Sequence, residues 1–166
     1  GVSGSLGGAA DKTVFSAIRA VADVIVAAAG TVRADGYGPP RTPPSRRAER
    51  EARGQTPYPR IAVVSRSLDL DPTAPLFTDA PQRTIVFTTA EADADRVASL
   101  EPVAEVVRAG DGSSVEPTAL LAHLHGLGAR TVLVEGGPGL NGAFLDADLV
   151  DELDVTIAPA LVGGAS

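Results

Sequence analysis

The amino-acid sequence predicts a three-layer α/β domain with a central, mainly parallel β-sheet that ends in an antiparallel edge strand. Several short runs of β-branched and apolar residues are typical of strands buried on both faces of a parallel sheet. Segments with helical spacing lie between these runs, which indicates alternating strands and helices. The 166 residues are enough for one domain with a sizeable core.

The first predicted element is an amphipathic helix over residues 11–21. Asp11 is its expected N-cap, because a carboxylate oxygen there can accept a hydrogen bond from an unpaired backbone amide. Apolar residues recur at helical spacing at four positions: Val14, Phe15, Ile18 and Val21. This spacing is typical of an amphipathic helix.

Four interior strands are predicted from continuous apolar runs. These runs are residues 24–29, 61–64, 84–87 and 130–134. Such runs suit strands that are covered by helices on both faces. We therefore expect all four to lie inside the sheet.

Helical patterns occupy residues 92–100 and 117–127, and a further helix is expected to open at Pro138. Residues 152–158 instead alternate apolar and polar side chains, which is typical of a half-exposed or antiparallel edge strand. The sequence therefore predicts a mixed sheet.

Residues 36–60 differ in composition from the rest of the chain. They contain six arginines, two glutamates and six prolines, and their net charge is +4 in a chain whose total charge is −7. Proline is expected to prevent a regular element here. We predict a mobile, irregular surface loop, and an anion-binding arm is the alternative interpretation.

The composition argues against several classes of protein. A net charge of −7 has the wrong sign for neutralising many nucleic-acid phosphates. The lack of cysteine excludes disulfides and thiolate metal sites and predicts a cytoplasmic protein. The longest apolar run, at residues 24–29, is far shorter than the roughly 20 residues of a membrane span. We expect neither nucleic acid nor membrane as a partner, and we find no signal peptide in this sequence.

Two glycine-rich junctions follow predicted strands, where open α/β sheets bind ligands. In the later junction, Gly137, Gly139 and Gly142 match the pattern G-x-G-x-x-G just before a helix. Free amides at a helix start favour a phosphate or diphosphate, which predicts a nucleotide. The alternative is that these glycines serve only a tight turn and close packing.

The earlier junction contains small residues together with Thr31 and Asp35. Small residues let a planar ring or a sugar approach the backbone, while the hydroxyl and the carboxylate can orient a ligand. We interpret this junction as the wall of a polar pocket.

These segments together carry a family resemblance. The chain has the motifs GTVRAD at residues 30–35, VEGGPGLN at 134–141 and LVDEL at 149–153, followed by AP at 158–159 and LVGG at 161–164. In this combination and order the sequence resembles the pyrimidine reductase domain of riboflavin biosynthesis, which has a dihydrofolate-reductase-like fold. The resemblance covers nearly the whole chain.

The resemblance implies NADPH-dependent reduction of the ribosyl group of 5-amino-6-(5-phosphoribosylamino)uracil to a ribityl chain, with hydride attack at C1′. It implies that Thr31 and Asp35 contact NADPH and that Ser65 holds the adenosine side. The other cofactor-binding residues implied are Gly136, Gly137, Pro138, Gly139, Leu140, Asn141, Gly142 and Ala143.

On the substrate side, the resemblance places Glu135 and Asp35 against the substrate. The residue types add Arg66, because a cation after a strand can bind the 2′-phosphate that distinguishes NADPH from NADH. A solvated surface arginine is the alternative for Arg66. No side chain is assigned as the catalytic proton donor.

Two other functions stay open at this point. A related reductase that acts on a pteridine such as dihydrofolate would share the cofactor half of the site. A nucleotide-binding module without turnover is the alternative from a different class.

The sequence departs from the family pattern at both ends. The family begins with a strand that carries an Asp-Gly pair and continues beyond Gly164 with further strands, so we expect the domain to extend past this sequence. The fused deaminase known in the family is also not seen. The resemblance further implies a homodimer that pairs near residues 151–158.

A metal site is not expected. His123 and His125 lie two residues apart on a predicted helix, so their side chains diverge, and the sequence offers no cysteine to complete a ligand set.

Overall fold

Five short parallel strands form the central sheet. The computed structural model describes residues 8–157, and its strands are β1 (Val24–Ala28), β2 (Arg60–Val64), β3 (Thr84–Thr88), β4 (Ala104–Arg108) and β5 (Val132–Val134). They lie in the order β4-β3-β2-β1-β5, and every neighbouring pair is parallel. The four predicted strands are confirmed as strands, but the interior position expected for residues 130–134 is wrong, because β5 pairs only with β1 and lies at an edge of the sheet in the described range. β4 was not predicted, because charged residues interrupt its apolar run.

Seven helices of the described residues connect and flank these strands. They are α1 (Ala9–Val21), α2 (Ala29–Asp35), α3 (Pro44–Ala52), α4 (Pro75–Thr78), α5 (Ala94–Leu100), α6 (Pro117–Gly126) and α7 (Pro138–Asp146). The predicted helices at 11–21, 92–100 and 117–127 and the helix opening at Pro138 are confirmed within one or two residues. In the described residues, no helix is long and apolar enough to cross a bilayer.

Helices cover both faces of the sheet, so the domain has the three predicted layers. Along β1, Ile25 packs in a cluster with residues of α2, α4 and α5, whereas Val26 packs in a second cluster with residues of α6 and α7. Both side chains are buried. The continuous apolar run of β1 follows from this burial on two sides, because every position of the strand faces a helical layer.

Two details of the first helix differ from expectation. Gly8, not Asp11, occupies the N-cap position, and Asp11 lies in the first turn. The predicted apolar face is largely open, since Val14, Phe15 and Val21 are exposed and Ala20 is the buried residue of the helix. Tertiary packing turns a different side of α1 toward the sheet.

The predicted antiparallel strand is not observed. Residues 152–157 have no strand pairing, and Ala158 lies outside the described residues. Leu153, Val155 and Ile157 are exposed, and the Thr156 hydroxyl donates to the Asp11 carboxylate at 2.6 Å. A strand requires a hydrogen-bonded neighbour, and the described residues place none beside this segment. The sheet is therefore entirely parallel in the described range.

Residues 36–60 are not the irregular loop that the sequence predicted, because they contain α3. Pro44 occupies the first turn of this helix, where a missing N–H removes no hydrogen bond. No proline follows until Pro57, so the helix continues undisturbed. Proline breaks a helix in its interior but is tolerated in the first turn, and Pro44 lies in that turn.

Side chains of this region cap the C-terminus of α1 and the turn that follows. The buried Arg50 donates from Nη1 to the carbonyls of Ala20 (3.0 Å) and Ala22 (2.6 Å), and from Nε to that of Thr56 (2.8 Å). Gln55 donates to the carbonyl of Val21 at 2.9 Å. Helix C-termini leave such carbonyls unpaired and favour cations. These contacts hold residues 50–56 against the start of β1.

We expect Arg50→Ala to lower the free energy of unfolding by about 2–3 kcal/mol, because buried carbonyls would lose charge-assisted hydrogen bonds. Arg46→Ala, on the same helix, is the matched control. The Arg46 side chain is 43% exposed and, among residues 8–157, pairs only with Glu49 at 2.7 Å, so its loss should be about 0.5 kcal/mol or less. Urea unfolding followed by circular dichroism measures both, and equal losses would contradict a structural role for Arg50.

Candidate functional site

The two glycine-rich junctions meet at the point where the strand order reverses. From β1 the chain proceeds through β2 and β3 to β4 on one side, whereas β5 pairs with the opposite side of β1. Open α/β sheets bind ligands in the crevice beyond the carboxyl ends of the strands at such a switch point. The carboxyl ends of β5, β1 and β2 lie side by side here, and the predicted site residues follow these three strands.

Close backbone contacts join the two junctions. The amide of Ala28 donates to the carbonyl of Gly136 at 2.6 Å, and the Gly136–Gly137 peptide is cis. A Cβ placed on Gly137 would lie 3.1 Å from the Thr31 hydroxyl oxygen. Gly136 has a φ of +89°, which favours glycine. The structure thus brings Thr31 and the Gly136–Gly137 pair together, so both motifs belong to one site.

The start of α7 offers backbone donors and open space. Gly137 is the N-cap, Pro138 occupies the first turn, and the amides of Leu140 and Asn141 both donate to the Gly137 carbonyl at 3.0 Å. The amide of Gly139 has no backbone acceptor among residues 8–157. A Cβ added at Gly139 would meet no atom within 4 Å. A phosphate group could therefore approach this backbone closely.

Other members of the predicted cofactor set differ in accessibility. Asn141 is exposed, Gly142 and Ala143 are half-buried, and a Cβ on Gly142 would meet nothing within 4 Å. The Leu140 side chain packs against the core cluster beneath α6 and α7. Leu140 can therefore contribute its backbone, but not its side chain, to ligand binding.

Thr31 and Asp35 lie one turn apart on α2. Residues four apart share a helix face, so both side chains project from the same side of this short helix. Thr31 is half-buried beside Gly137, and Asp35 is exposed at the end of the helix. Gly36 then adopts a left-handed conformation, with φ of +62°, and ends α2.

Ser65 and Arg66 follow β2 in a tightly held turn. Ser65 is buried, and its hydroxyl oxygen accepts a hydrogen bond from the Leu68 amide at 3.0 Å. Arg33 of α2 donates to the carbonyl of Asp69 at 2.7 Å and ties this turn to the neighbouring junction. Arg66 is exposed and has no hydrogen-bond or ion-pair partner among residues 8–157. It is therefore free to meet a ligand anion.

Glu135 lies at the end of β5 in a cluster that the sequence did not predict. Its carboxylate accepts from Arg19 Nε at 2.6 Å and from Arg19 Nη2 at 2.5 Å, and the Tyr37 hydroxyl donates to the same oxygen as Nη2. The Glu135 side chain is only 4% exposed. We call Arg19, Tyr37 and Glu135 the Glu135 cluster. It joins three segments that are far apart in the sequence.

The pKa shifts in this cluster keep both donors protonated. Burial and then the neighbouring carboxylate raise the pKa of Tyr37. Burial alone lowers the pKa of Arg19, but its hydrogen bond and charge interaction with Glu135 outweigh burial and raise it. The Arg19 guanidinium carbon also lies 4.7 Å from the centre of the Phe15 ring and 5.3 Å from that of Tyr37. At neutral pH, three donor hydrogens therefore point at one carboxylate.

Arg19 also lines a pocket of about 220 Å³ between α1 and residues 40–43. Lys12, Arg19 and Arg41 line it, together with Phe15. We call this the cationic pocket, and its charge suits a small anion in an otherwise acidic chain. The sequence did not predict this pocket. A usable signal existed, because positions 12, 15, 16 and 19 share one face of a helix.

The two histidines form no metal site with each other. His123 Nε2 lies 3.1 Å from the Glu105 carboxylate, which also accepts from Arg60 at 2.5 Å, and the His123 ring contacts the edge of Phe87. His125 is exposed. Within residues 8–157, no group of three or more potential metal-ligating side chains is clustered.

Comparison with known proteins supports the resemblance. The profile of the RibD C-terminal domain matches residues 1–166. The 2,5-diamino-6-ribosylamino-4(3H)-pyrimidinone 5′-phosphate reductase of Methanothermobacter thermautotrophicus is 36% identical over 162 residues, which is 98% of this chain and 71% of that protein. The Archaeoglobus fulgidus reductase of the same name is 33% identical over 154 residues, or 93% of this chain and 69% of that protein.

Solved structures agree with this assignment. A pyrimidine reductase-like protein from Corynebacterium diphtheriae superposes with a TM-score of 0.89 at 30% identity. The match covers 98% of this chain and 68% of that protein. The five-stranded parallel sheet, the paired junctions at its switch point and these relatives lead to one conclusion: the chain belongs to the RibD C-terminal domain family, whose named relatives are pyrimidine reductases of riboflavin biosynthesis.

Proposed function

We propose that this protein uses NADPH to reduce the ribosyl group of a ribosylaminopyrimidine 5′-phosphate to a ribityl group. The observation that carries the proposal is the position of Arg19. Its guanidinium binds Glu135 at the glycine-lined switch point, and the same residue lines the cationic pocket. A cofactor site and an anion site are therefore adjacent, as a phosphorylated substrate requires.

The dinucleotide would lie across the carboxyl ends of β5, β1 and β2. The residues present fit it, because the Gly139 amide has no backbone acceptor among the described residues and the space beside Gly139 and Gly142 is open. We assign the diphosphate to the backbone of residues 136–143, as the sequence predicted. Thr31 and Asp35 would face the nicotinamide half, and the turn at Ser65 and Arg66 would face the adenosine half.

The substrate would place its phosphate in the cationic pocket. Lys12 and Arg41 offer charge-assisted hydrogen bonds there, and Arg19 lies between this pocket and Glu135. Glu135 and Asp35 would then accept hydrogen bonds from the pyrimidine N–H groups or the sugar hydroxyls. This arrangement fixes the substrate at both ends, which positions its C1′ for reaction.

Bound NADPH supplies the hydride that C1′ receives. As the C1′–O bond of the ribose ring breaks, the ring oxygen takes up a proton and becomes a hydroxyl. The residues of this chain orient the sugar and neutralise the phosphate. The proposal assigns no side chain as the proton donor.

Turnover is the direct test. NADPH oxidation should be seen with a ribosylaminopyrimidine 5′-phosphate, offered both as the 2,5-diamino pyrimidinone named in the relatives and as the deaminated uracil that the sequence resemblance implied. Oxidation with dihydrofolate alone would identify a pteridine reductase instead. Cofactor binding without oxidation of any of the three would identify a non-catalytic nucleotide-binding module.

The same assay contains the control for the phosphate. The dephosphorylated substrate should lose about tenfold to a hundredfold in kcat/KM, since a hydrogen bond to a charged group contributes about 1.5–3 kcal/mol. In Arg41→Ala this difference between the two substrates should shrink. An equal rate for both substrates in the wild-type protein would contradict the assignment of the cationic pocket.

Arg66→Ala should weaken the preference for NADPH over NADH by roughly tenfold or more, because the 2′-phosphate would lose a charge-assisted hydrogen bond. Fluorescence titration with each reduced coenzyme measures the two affinities. Arg130→Ala is the matched control, since Arg130 is also exposed but precedes β5, at the opposite edge of the sheet. An unchanged affinity ratio in Arg66→Ala would leave Arg66 a solvated surface residue.

We further propose that the chain works as a homodimer. Leu153, Val155 and Ile157 expose apolar side chains, and a two-fold related copy could cover them with a self-complementary patch. Light scattering should give the dimer mass at micromolar concentration, and a monomer would contradict this proposal and favour cover from within one chain. A cytoplasmic location also stays a prediction of the sequence.

A further inference from the structure

We infer that the Tyr37 hydroxyl is a positioning group for Glu135. It orients this carboxylate so that its one open acceptor direction faces the substrate. The inference rests on the proposed function of Glu135 as a substrate ligand. It adds a residue that neither the sequence motifs nor the comparisons assign. Tyr37 does not need to touch the substrate, since it acts through the carboxylate.

The position of Tyr37 is set by the end of α2. Its amide donates to the Val32 carbonyl at 3.0 Å, directly after the left-handed Gly36 that ends the helix. Its ring packs against the core cluster that contains Ile25 and Ala27. Backbone and ring are thus held independently of the hydroxyl. The hydroxyl then reaches Glu135, 98 residues further along the chain.

The distribution of donors on Glu135 supports a directing role. Oε2 accepts from both Arg19 Nη2 and the Tyr37 hydroxyl, whereas Oε1 accepts from Arg19 Nε only. A carboxylate oxygen has about two acceptor directions. Tyr37 therefore fills Oε2 and leaves one acceptor direction on Oε1. A substrate N–H or O–H would therefore donate to a carboxylate whose rotation is already restricted.

Arg19 alone already satisfies the charge of Glu135, so the phenol is not required to neutralise it. The bidentate arginine contacts both oxygens, at 2.6 and 2.5 Å. Among residues 8–157, Arg19 from α1 and Tyr37 after α2 are the charged or titratable groups that bond to Glu135. The hydrogen bond from Tyr37 mainly fixes the orientation of the carboxylate. Its loss should therefore lower turnover more than it lowers the stability of the fold.

Tyr37→Phe tests this inference, because it removes the hydroxyl and keeps the packed ring. We expect kcat to fall about tenfold, which corresponds to about 1.4 kcal/mol in the barrier, while the KM for NADPH stays within about twofold. Tyr58→Phe is the matched control. Tyr58 is the other tyrosine of the chain and accepts from Arg47 at 2.9 Å, outside the Glu135 cluster. Its loss should leave both kinetic constants unchanged.

A second measurement does not depend on turnover. The chain has two tyrosines and no tryptophan, so tyrosinate absorbance in Tyr58→Phe reports Tyr37 alone. The neighbouring carboxylate helps to raise the pKa of Tyr37. Adding Glu135→Gln to Tyr58→Phe should therefore shift the tyrosine titration to lower pH. Circular dichroism at each pH restricts the comparison to the range in which both proteins are folded.

The kinetics and the tyrosine titration distinguish failure of this inference from failure of the proposed function. A wild-type kcat in Tyr37→Phe overturns the inference while the proposed function stands. If no pyrimidine is reduced by the wild-type protein, the proposed function fails, and the titration still decides the contact. In that case a titration that does not respond to Glu135→Gln overturns the inference as well, whereas a shifted titration supports the Tyr37–Glu135 link on its own.

Discussion

The ion pair between Arg19 and Glu135 is the interaction on which the arrangement of the site depends. It joins α1, near the start of the chain, to the end of β5, 116 residues later. A carboxylate that is only 4% exposed requires donors, because an unpaired buried charge is costly. Arg19 meets this need with two hydrogen bonds, and its guanidinium also contacts the rings of Phe15 and Tyr37. The same side chain then forms part of the cationic pocket.

The arginine-rich region from 36 to 60 makes that geometry possible. It returns from the end of α2, forms α3 and presents Arg50 and Gln55 to the carbonyls that end α1. Asp23 extends this connection, since its carboxylate accepts from Gln55 and from the amides of Arg130 and Thr131 before β5. Although burial alone raises the pKa of Asp23, these hydrogen bonds lower it. The same region thus anchors α1 and supplies Arg41 to the cationic pocket.

The two proposed anion sites are compatible with an acidic chain because the positive potential they need is local. The net charge of −7 is a property of the whole surface, and it does not describe the carboxyl edge of the sheet. At that edge the proposed diphosphate site uses backbone amides and the helix dipole of α7, which need no cationic side chain. The proposed substrate phosphate site uses the cations of α1 and residue 41 instead. The two anions would therefore be recognised by different chemistry.

The sequence by itself determined the fold class, four of the five strands and the two glycine-rich junctions. These features depend on local patterns, since a strand covered on both faces must be apolar throughout and a close backbone approach must use glycine. The same motifs pointed to Glu135 and Thr31. Only the tertiary structure decided what these residues contact. Arg19, Tyr37 and Arg41 belong to the proposed site through packing between distant segments. The shared helix face of positions 12, 15, 16 and 19 was the one local signal, and it does not show what these residues contact. For α3 the local signal was present, because residues 45–52 contain no proline and are rich in good helix formers. Only the tertiary structure decided where this helix packs, through the hydrogen bonds from Arg50 to the carbonyls of Ala20 and Ala22.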